Sequence, residues 1–511
     1  MNSIRILASL SLLLIAITGC EQGGAVLEAT QERQTARQAH PNIVIIFADD
    51  MGYGDIGAYN NASRIPTPNL DRMARQGIRL TDAHSSSAVC TPSRYSLLTG
   101  NYAWRTSKKR GVLFGHSPLL VDLKTKTIPS MLREHGYRTA MIGKWHLGLG
   151  VSKPDYASAQ VATKSASIPI YNAEEPGGLS PGPNAIGFDY YFGIPASLDM
   201  EPYVYVENTH LYTPLTGNEI AYSKPRREGG PGFWRKGPIG DGFAHEEVLP
   251  EMTGRAVDLI HTWAEKEQPF FLYLPLPSPH TPWLPTAAFR GKSGAGHYGD
   301  FAHQTDHVVG QVNQALEQAG IADNTLLIYT SDNGAHWLDT DIERYGHLAN
   351  GHLRGQKADI YEAGHRVPFI ARWPNKIPSQ LISHQPTVLT DLMATIAGIV
   401  GANIASNEAI DSFDISPVLL RQANANVARA PMIHHALDGT FAIRDGDWKL
   451  IAGLGSGGFT EPKKVAPVEG QSIYRLYNLR KDLAETKNVA EENPEIVKRL
   501  VATLKEIRNG D

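Results

Sequence analysis

The stretch Asn42-Ile43-Val44-Ile45-Ile46-Phe47 is an uninterrupted apolar run, and after Ala48 the acidic pair Asp49-Asp50 follows it. A strand that is apolar on both faces is typical of a parallel sheet covered by helices on both sides. In such sheets, functional side chains gather beyond the carboxyl ends of the strands. The stretch therefore predicts an α/β fold with a large, mainly parallel sheet and a polar site at one edge of that sheet.

Four further predicted strands lead into chemically suggestive residues. These strands are predicted over Ile78–Ala83, Arg138–Ile142, Phe270–Leu274 and Thr325–Thr330, and the residues that follow them are Cys90, Lys144, His146, His280, Asp332 and Asn333. Other segments are predicted as helices over Thr67–Gln76, Ile128–His135, Glu246–Lys266, Phe301–Ala319 and Pro386–Ile399, and as a strand over Val367–Ala371. Because the carboxyl ends of parallel strands meet at one edge, the residues after the strands are expected to lie together.

The remaining chain divides by composition. Residues 150–245 are rich in Pro, Gly and aromatic residues without clear periodicity, which predicts an irregular insertion that lines a binding face. Beyond residue 430, short strands are predicted at Phe441–Arg444, Trp448–Ile451 and Tyr474–Tyr477, followed by a helix at Pro494–Arg508. We therefore predict a large α/β domain over residues 41–430 and a smaller subdomain, an antiparallel sheet plus a helix, over residues 431–511.

The first 20 residues predict export. Arg5 precedes the apolar run Ile6–Ile17, which is too short to span a membrane and is typical of a secretory signal. The ending Ile17-Thr18-Gly19-Cys20 resembles the bacterial lipobox, whose cysteine is acylated; an ordinary signal peptide is the alternative. We expect a lipoprotein signal peptide over residues 1–20, a flexible tether over 21–40, and an exported bacterial lipoprotein, periplasmic or at the cell surface, anchored to the outer membrane through a lipid on Cys20.

Composition narrows the remaining possibilities. With 511 residues, of which 42% are hydrophobic, the chain can bury a sizeable core. The formal net charge of −4 lacks the basic excess of a nucleic-acid-binding protein, so no nucleic-acid partner is expected. There are only two cysteines, Cys20 and Cys90. If one carries a lipid and the other serves catalysis, neither is left for a disulfide.

The segment Cys90–Gly100 predicts a loop that runs into a short helix. Pro92 suits the first helical turn, and Gly100 suits the position after the helix end. Cys90 is then at a helix N-terminus, where exposed N–H groups favour anions and are expected to lower the thiol pKa. Arg94, one turn further on, can reach back as a fork-shaped donor. The segment predicts an anion site with a reactive group at its centre.

Two further sets of residues suit that site. Asp49, Asp50, Asp332 and Asn333 offer hard oxygen ligands, which favour calcium or magnesium over zinc. A second set could converge on an anion as a cationic clamp, and it consists of Lys144, His146, His280 and Lys357. Each of these residue types alone is more often a turn, surface or structural residue, so the prediction depends on their grouping at strand ends.

The chain resembles the type I sulfatases, members of the alkaline-phosphatase-like superfamily. The resemblance is carried by Cys90, Pro92, Ser93, Arg94, Leu98, Thr99 and Gly100, by Gly143–Gly148, by Pro279-His280, by Arg354–Lys357 and by Glu362–Pro368. Many relatives have glycine where this chain has Gln356 or Ala358. The resemblance implies that the domain over residues 41–430 is a catalytic sulfatase domain.

The resemblance also implies a reaction. A separate maturation enzyme oxidises Cys90 to formylglycine, and the hydrate of formylglycine attacks the sulfur atom of the substrate. One divalent cation is bound at the site, with calcium favoured over magnesium. Its ligands are Asp49, Asp50, Asp332, Asn333 and the modified Cys90. Lys144 and Lys357 hold the sulfate, and Arg94 holds the hydrate. Asp332 helps to deprotonate the attacking hydroxyl, and His280, with Lys357, protonates the leaving oxygen. His146 then deprotonates the second hydroxyl, so that the covalent enzyme–sulfate eliminates sulfate.

The substrate follows less directly. The resemblance favours sulfated carbohydrates, with 6-sulfates of galactose or N-acetylgalactosamine preferred. Two loops, residues 196–212 and 336–352, are expected to rim the site; their suggestive members are Tyr203, Tyr205, Asn208, His210, His336, Trp337, Asp339, Asp341, His347 and His352. Two alternatives stay open: a formylglycine-dependent hydrolase of phosphonate monoesters or phosphodiesters, and a non-catalytic surface glycan-binding protein with unmodified Cys90.

Overall fold

A computed structural model of the protein describes residues 40–149, 160–162, 168–171, 178–225, 230–421 and 428–509. The predicted signal peptide, Cys20 and the tether up to residue 39 lie outside the described residues. The strands are β1 Asn42–Ala48, β2 Ile78–Leu80, β3 Ala83–His84, β4 Arg138–Lys144, β5 Tyr190–Ile194, β6 Val206–Glu207, β7 His210–Leu211, β8 Leu215–Glu219, β9 Tyr222–Lys224, β10 Gly232–Trp234, β11 Gly237–Gly240, β12 Phe270–Pro275, β13 Thr325–Ser331, β14 Phe369–Arg372, β15 Leu381–Ser383, β16 Thr387–Val388, β17 Met432–His435, β18 Phe441–Asp445, β19 Trp448–Ala452 and β20 Tyr474–Asn478.

The α-helices lie between these strands. They are α1 Pro68–Gln76, α2 Cys90–Thr99, α3 Ile128–Glu134, α4 Val248–Ala264, α5 Gly296–Gln318, α6 Asp339–Tyr345, α7 Glu362–His365, α8 Asp391–Val400, α9 Ser416–Leu419 and α10 Pro494–Asn509. Short 3-10 turns occur at Ala103–Arg105, Pro183–Ile186, His245–Glu247 and Ala322–Asn324. In the described part of the chain, no helix is both long enough and apolar enough to cross a membrane.

Among the described residues, ten strands form the main sheet, in the order β15-β2-β14-β13-β1-β12-β4-β5-β6-β7. Its centre is the parallel block β13-β1-β12-β4-β5, with Ile45 of β1 opposite Tyr273 of β12 and Ile328 of β13. The strands β14, β6 and β7 join with antiparallel pairings. The sheet is therefore mixed and mainly parallel, as the apolar run at β1 predicts.

Helices cover both faces of this sheet, which explains why β1 is apolar throughout. On one face, Ile43, Ile45 and Phe47 pack in a core with residues of α2, α3 and α8. On the other face, Val44 and Ile46 pack in a core with residues of α1, α4 and α5. Every residue of β1 is buried. Successive side chains of a strand point to opposite faces, so both faces must be apolar when both are covered.

Several boundaries differ from the sequence predictions. The expected strand over Ile78–Ala83 ends at Leu80, and Ala83–His84 instead pairs with Thr387–Val388. Because that pairing occupies residues 387–388, the helix predicted from Pro386 begins only at Asp391. The helix predicted from Phe301 begins earlier, at Gly296.

The prediction of an irregular insertion over residues 150–245 was too coarse. Within it, Tyr190–Ile194 is a fifth parallel strand of the sheet, and all five of its residues are buried. Short two-stranded pairings, β8 with β11 and β9 with β10, follow. Aromatic residues and glycine dominate these segments, so neither the alternating nor the continuous apolar pattern of a strand is visible.

The C-terminal sheet has four antiparallel strands, in the order β17-β18-β19-β20, and the helix α10 packs on it. The three predicted strands are present, and Met432–His435 is a fourth that the sequence did not predict. This sheet is bonded to the main domain: the Ala88 N–H donates to the His435 carbonyl at 3.0 Å, and buried Lys449 lies 3.0 Å from Glu362 and 2.9 Å from Glu485.

Candidate active site

The carboxyl ends of β1 and β13 bring the predicted metal ligands together. Asp49 and Asp50 follow β1, Asp332 and Asn333 follow β13, and all four are buried. The Asp50 N–H donates to Asp332 at 3.1 Å, and the Asn333 side-chain amide donates to Asp50 at 2.7 Å. Asp50 has a φ of 66°, a backbone conformation that aspartate tolerates better than most residues. The two strand ends thus form one acidic pocket.

Cys90 lies at the edge of this pocket as the first residue of α2. Its Sγ is 3.4 Å from Asp49 Oδ1 and 3.6 Å from Lys357 Nζ. As predicted, Gly100 ends the helix in a left-handed conformation, with a φ of 67°. The expected lowering of the thiol pKa was wrong. Burial raises the pKa of Cys90 well above its usual value, and the charge of Asp332 raises it further, outweighing the helix terminus and the nearby lysines.

Three cations surround the acidic pocket. Arg94 donates to Asp332 Oδ2 through Nε at 3.1 Å and Nη2 at 2.8 Å. Lys144 lies 2.5 Å from Asp49 Oδ2, and Lys357 lies 2.7 Å from Asp50 Oδ1. Lys357 belongs to a loop that is distant in sequence from the other two. The fold nevertheless brings Arg94, Lys144 and Lys357 together around the acidic pocket.

These pairings shape the protonation of the pocket. Burial alone would raise the pKa of Asp49, but Lys144 and the other neighbouring cations hold it well below its usual range. Burial, together with the charge of Asp49, raises the pKa of Asp332 to about 7. Burial lowers the pKa of Lys357, but Asp50 more than offsets this and raises it above its ordinary value.

The donor set fits a hard divalent cation. Three buried carboxylates, Asp49, Asp50 and Asp332, come together in one pocket and offer hard oxygen ligands to a cation. Asn333 Oδ1 is buried and, among the described residues, has no hydrogen-bond partner, so it has a free lone pair for a metal. Ligating atoms of Asp49, Asp50, Cys90 and His280 lie within 4.8 Å of one another. Oxygen donors of this kind suit calcium or magnesium.

Both predicted histidines border the pocket. His146, with a φ of 57°, is 2.8 Å from the Leu113 carbonyl through Nε2, and its Nδ1 has no hydrogen-bond partner among the described residues. His280 donates from Nδ1 to the Thr281 carbonyl at 2.5 Å, and its Nε2 is 3.8 Å from Asp50. Burial lowers the pKa of both rings, and neighbouring lysines lower it further.

A cavity of about 640 Å³ opens above Cys90, His146, His280 and Lys357. Its walls come from the insertion, from the loop after β13 and from the C-terminal subdomain; they include Asp199, Met200, Phe233, Arg235, His336, Leu338, Leu437 and Phe459. The two predicted rim loops, residues 196–212 and 336–352, do contribute to the wall, through Asp199, Met200, His336 and Leu338, although only His336 was singled out. Ser197, which accepts from Lys144 Nζ at 2.6 Å, lies in the first of these loops and was not singled out. Phe233, Arg235, Leu437 and Phe459 were missed, and only the composition of residues 150–245 signalled the first two.

Most of the predicted rim residues serve the fold instead. His336 lines the cavity, but Tyr203, Tyr205, Asn208, Trp337, Asp341 and His347 are buried and are absent from its lining. Tyr203, for example, donates to the Arg235 carbonyl at 2.6 Å, and His347 pairs with buried Asp55 at 2.8 Å. The same lining does not contain His210, Asp339 or His352. Aromatic and acidic residues in loops were therefore a poor guide to the cavity wall.

A second buried cluster, His84, His365 and His434, could be mistaken for a metal site. The rings of His365 and His434 are stacked, with centroids 4.0 Å apart and planes at 7°. Because lone pairs lie in the ring planes, nearly parallel rings do not direct them at a common point. The Lys449 ammonium is also 3.0 Å from His365 Nε2 and would repel a cation. This cluster is better explained as a buried hydrogen-bond network that joins the two sheets.

Comparison with known proteins agrees with this geometry. The model of the family described as "Sulfatase" matches residues 41–402. The chain is 34% identical over 535 residues to the N-acetylgalactosamine-6-O-sulfatase of Bacteroides thetaiotaomicron, covering 96% of each chain. It is 32% identical to human arylsulfatase A, covering 90% of this chain and 86% of the relative.

A solved structure supports the same assignment. It comes from work on glycosaminoglycan metabolism in Bacteroides thetaiotaomicron, has a TM-score of 0.75 and 32% identity, and is matched over 92% of this chain and 100% of the other. The fold, the site and these similarities define a sulfuric ester hydrolase of the alkaline-phosphatase-like type. The chain belongs to the sulfatase family.

Proposed function

We propose that the protein removes sulfate esters from carbohydrates, with 6-sulfates of galactose or N-acetylgalactosamine as the preferred substrates. Support comes from the 34% identity to an N-acetylgalactosamine-6-O-sulfatase and from 29% identity to the N-acetylgalactosamine-6-sulfatase of the mouse. A cavity of about 640 Å³ is also roomy enough for a sugar ring with its substituents.

The observation that carries the proposal is the convergence of Lys144 and Lys357 beside Cys90. Both ammonium groups are buried, and each is paired with a carboxylate of the predicted metal site. When bound, the divalent cation, which we propose is calcium, supplies charge neutralisation to sulfate oxygens, and formylglycine at position 90 supplies the attacking hydroxyl. The two lysines then contribute charge to the equatorial sulfate oxygens, where negative charge grows in the transition state.

Proton transfer falls to the residues around the pocket. Arg94, fixed by Asp332 and by the Lys144 carbonyl at 3.1 Å, orients the nucleophile's hydroxyl groups. Asp332 is placed to accept a proton from the attacking hydroxyl. His280 lines the cavity, and because its Nδ1 proton is committed to the Thr281 carbonyl, its Nε2 has to carry a second proton for the ring to act as an acid. We therefore assign the protonated ring, with the cationic Lys357, to the donation of a proton to the leaving oxygen. His146, whose Nδ1 has no partner among the described residues, is assigned to the proton of the second hydroxyl.

Parallel assays test this proposal. Protein from a host with a competent maturation enzyme is given p-nitrophenyl sulfate, phenyl phosphonate, and defined 6-sulfated galactose and N-acetylgalactosamine. Hydrolysis of the sulfates, with slower cleavage of the phosphonate, supports the proposal, whereas much faster phosphonate cleavage would overturn it. Mass spectrometry of the peptide containing Cys90 distinguishes the glycan-binding alternative, which requires an intact thiol and no turnover.

We also propose that the protein is an exported lipoprotein anchored to the outer membrane through Cys20, and that a formylglycine-generating enzyme matures Cys90. The support is the lipobox-like ending of the first 20 residues and the position of Cys90 in its helix. Membrane fractionation of cells that express the wild type and Cys20→Ala tests the anchor. Release of the variant into the soluble fraction is the expected result, and retention of the variant in the membrane would contradict it.

A further inference from the structure

Arg235 follows the strand β10 and lines the cavity above Cys90. Its side chain is 41% exposed, although it is tied to the interior of the protein. Phe233, which lines the same cavity, has its ring 5.2 Å from the guanidinium carbon. A half-exposed arginine in a cavity with mostly apolar walls is a candidate for substrate recognition.

The arginine is held in place by Asp199. Its Nη1 donates to the Asp199 carboxylate and, at 2.9 Å, to the Asp199 carbonyl, and its backbone N–H donates to the same carbonyl at 3.2 Å. The Asp199 side chain is only 4% exposed. The Arg235 carbonyl, in turn, accepts from the Tyr203 hydroxyl at 2.6 Å. Two contacts therefore fix the guanidinium, and two more fix the backbone that carries it, before any ligand arrives, which reduces the entropy lost on binding.

The remaining donors of Arg235 are free. Among the described residues, nothing accepts from its Nε or Nη2, so three N–H groups are available on the edge away from Asp199. Because Asp199 compensates the charge of the guanidinium, the site suits a neutral oxygen acceptor better than a second sulfate. Asp199 Oδ1 also lies 4.0 Å from His280 Nδ1, which places the pair beside the residue assigned to the leaving oxygen.

We propose that Arg235, positioned by Asp199, binds a hydroxyl group of the sugar ring that carries the sulfate. This inference rests on the proposed carbohydrate substrate and specifies how that substrate is recognised. In a 6-sulfated pyranose, the 4-hydroxyl is the free ring hydroxyl nearest the sulfated carbon along the chain of bonds. It is therefore the hydroxyl that a site beside His280 would contact, and Arg235 determines specificity by donating hydrogen bonds to it.

The test compares Arg235→Lys with the wild type on galactose 6-sulfate, 4-deoxygalactose 6-sulfate and p-nitrophenyl sulfate. We expect the variant to lose about 10- to 100-fold in kcat/KM on galactose 6-sulfate, as expected for a charged hydrogen bond. The loss on p-nitrophenyl sulfate should be much smaller, because that substrate has no hydroxyl. For the wild type, kcat/KM on 4-deoxygalactose 6-sulfate should be lower than on galactose 6-sulfate by a similar factor. On the deoxy sugar, the variant should have nearly the same kcat/KM as the wild type. The control is Arg290→Lys, an exposed arginine paired with Glu246 and absent from the cavity lining.

Two results would overturn the inference without affecting the proposed function. Equal losses on all three substrates would show that Arg235 only supports the fold, which unfolding curves of both variants would register. If the variant has an about 10- to 100-fold lower kcat/KM than the wild type on the deoxy sugar as well, the 4-hydroxyl is not the ligand of Arg235. In contrast, a wild type that hydrolyses p-nitrophenyl sulfate but neither galactose nor N-acetylgalactosamine 6-sulfate would overturn the substrate proposal and this inference together.

Discussion

Replacing Lys144 with methionine should affect activity and stability in different ways. The ammonium group is fully buried, 2.5 Å from Asp49 and 2.6 Å from Ser197. Methionine has a similar length but no charge, so Asp49 would keep a buried carboxylate with one cation fewer. Removing one partner of a buried ion pair costs about 3–5 kcal/mol of unfolding free energy.

The magnitude should depend on the metal. In metal-free protein the full cost applies, because the lost positive charge is not replaced. With calcium bound to Asp49, the divalent charge compensates the carboxylate, so the destabilisation should shrink. Activity should follow the opposite pattern: removal of one preorganised donor to developing charge lowers kcat by about 10²–10³-fold, and calcium does not restore it.

Urea unfolding with and without calcium, together with kcat and KM on p-nitrophenyl sulfate, measures both effects. Lys463→Met is the matched control, since Lys463 is 54% exposed and pairs with an exposed glutamate. Wild-type kcat in Lys144→Met would refute the role of this lysine in the clamp. A destabilisation that is equal in the presence and absence of calcium would refute the placement of the cation at Asp49.

Three further predictions concern other residues. Burial lowers the pKa of His84, His365 and His434, so these histidines bind protons more readily in the unfolded chain. The free energy of unfolding should therefore fall as the pH drops below about 6.5. Urea titrations from pH 8 to pH 5 test this, and a free energy that does not change with pH would contradict it. Asn333→Ala should weaken calcium binding by at least the roughly 10–100-fold that outer-sphere changes cost, as calorimetry can show, while unchanged affinity would remove Asn333 from the ligand set. Cys90→Ala should abolish sulfatase turnover and leave calcium binding weaker but measurable, because one of the five proposed ligands is lost; turnover at the wild-type rate would exclude Cys90 as the nucleophile's precursor.

The sequence predicted the centre of the fold because the central strands carry strong patterns. The apolar runs at β1, β12 and β13 could hardly be helices, since each is short and flanked by turn residues. The strand Tyr190–Ile194 was missed because its aromatic residues and glycine follow a long unpatterned segment. Met432–His435 was missed because two of its four residues are histidines, which are buried here through contacts that no local pattern reveals.

The site was predictable where residues follow strands and unpredictable where they lie in loops. Asp49 and Asp332 could be placed from strand ends, but Lys357 reaches the pocket from a loop, next to Ala358 with a φ of 77°. No local sequence pattern predicts where such a loop lies in the fold, and only the resemblance to sulfatases indicated the role of Lys357. The pKa of Cys90 was predicted in the wrong direction because the helix terminus is a local feature, whereas burial is a property of the whole fold.

The cavity wall is completed by Leu437 and Phe459, which are synthesised long after Cys90. A nascent chain that has extended only through the first half of the sequence lacks these two residues, so they cannot yet cover the thiol. Any enzyme that modifies Cys90 therefore has a period during synthesis in which the residue is reachable, and that period closes when the last portion of the chain docks. Slowing translation near the C-terminus should lengthen this period and raise the modified fraction.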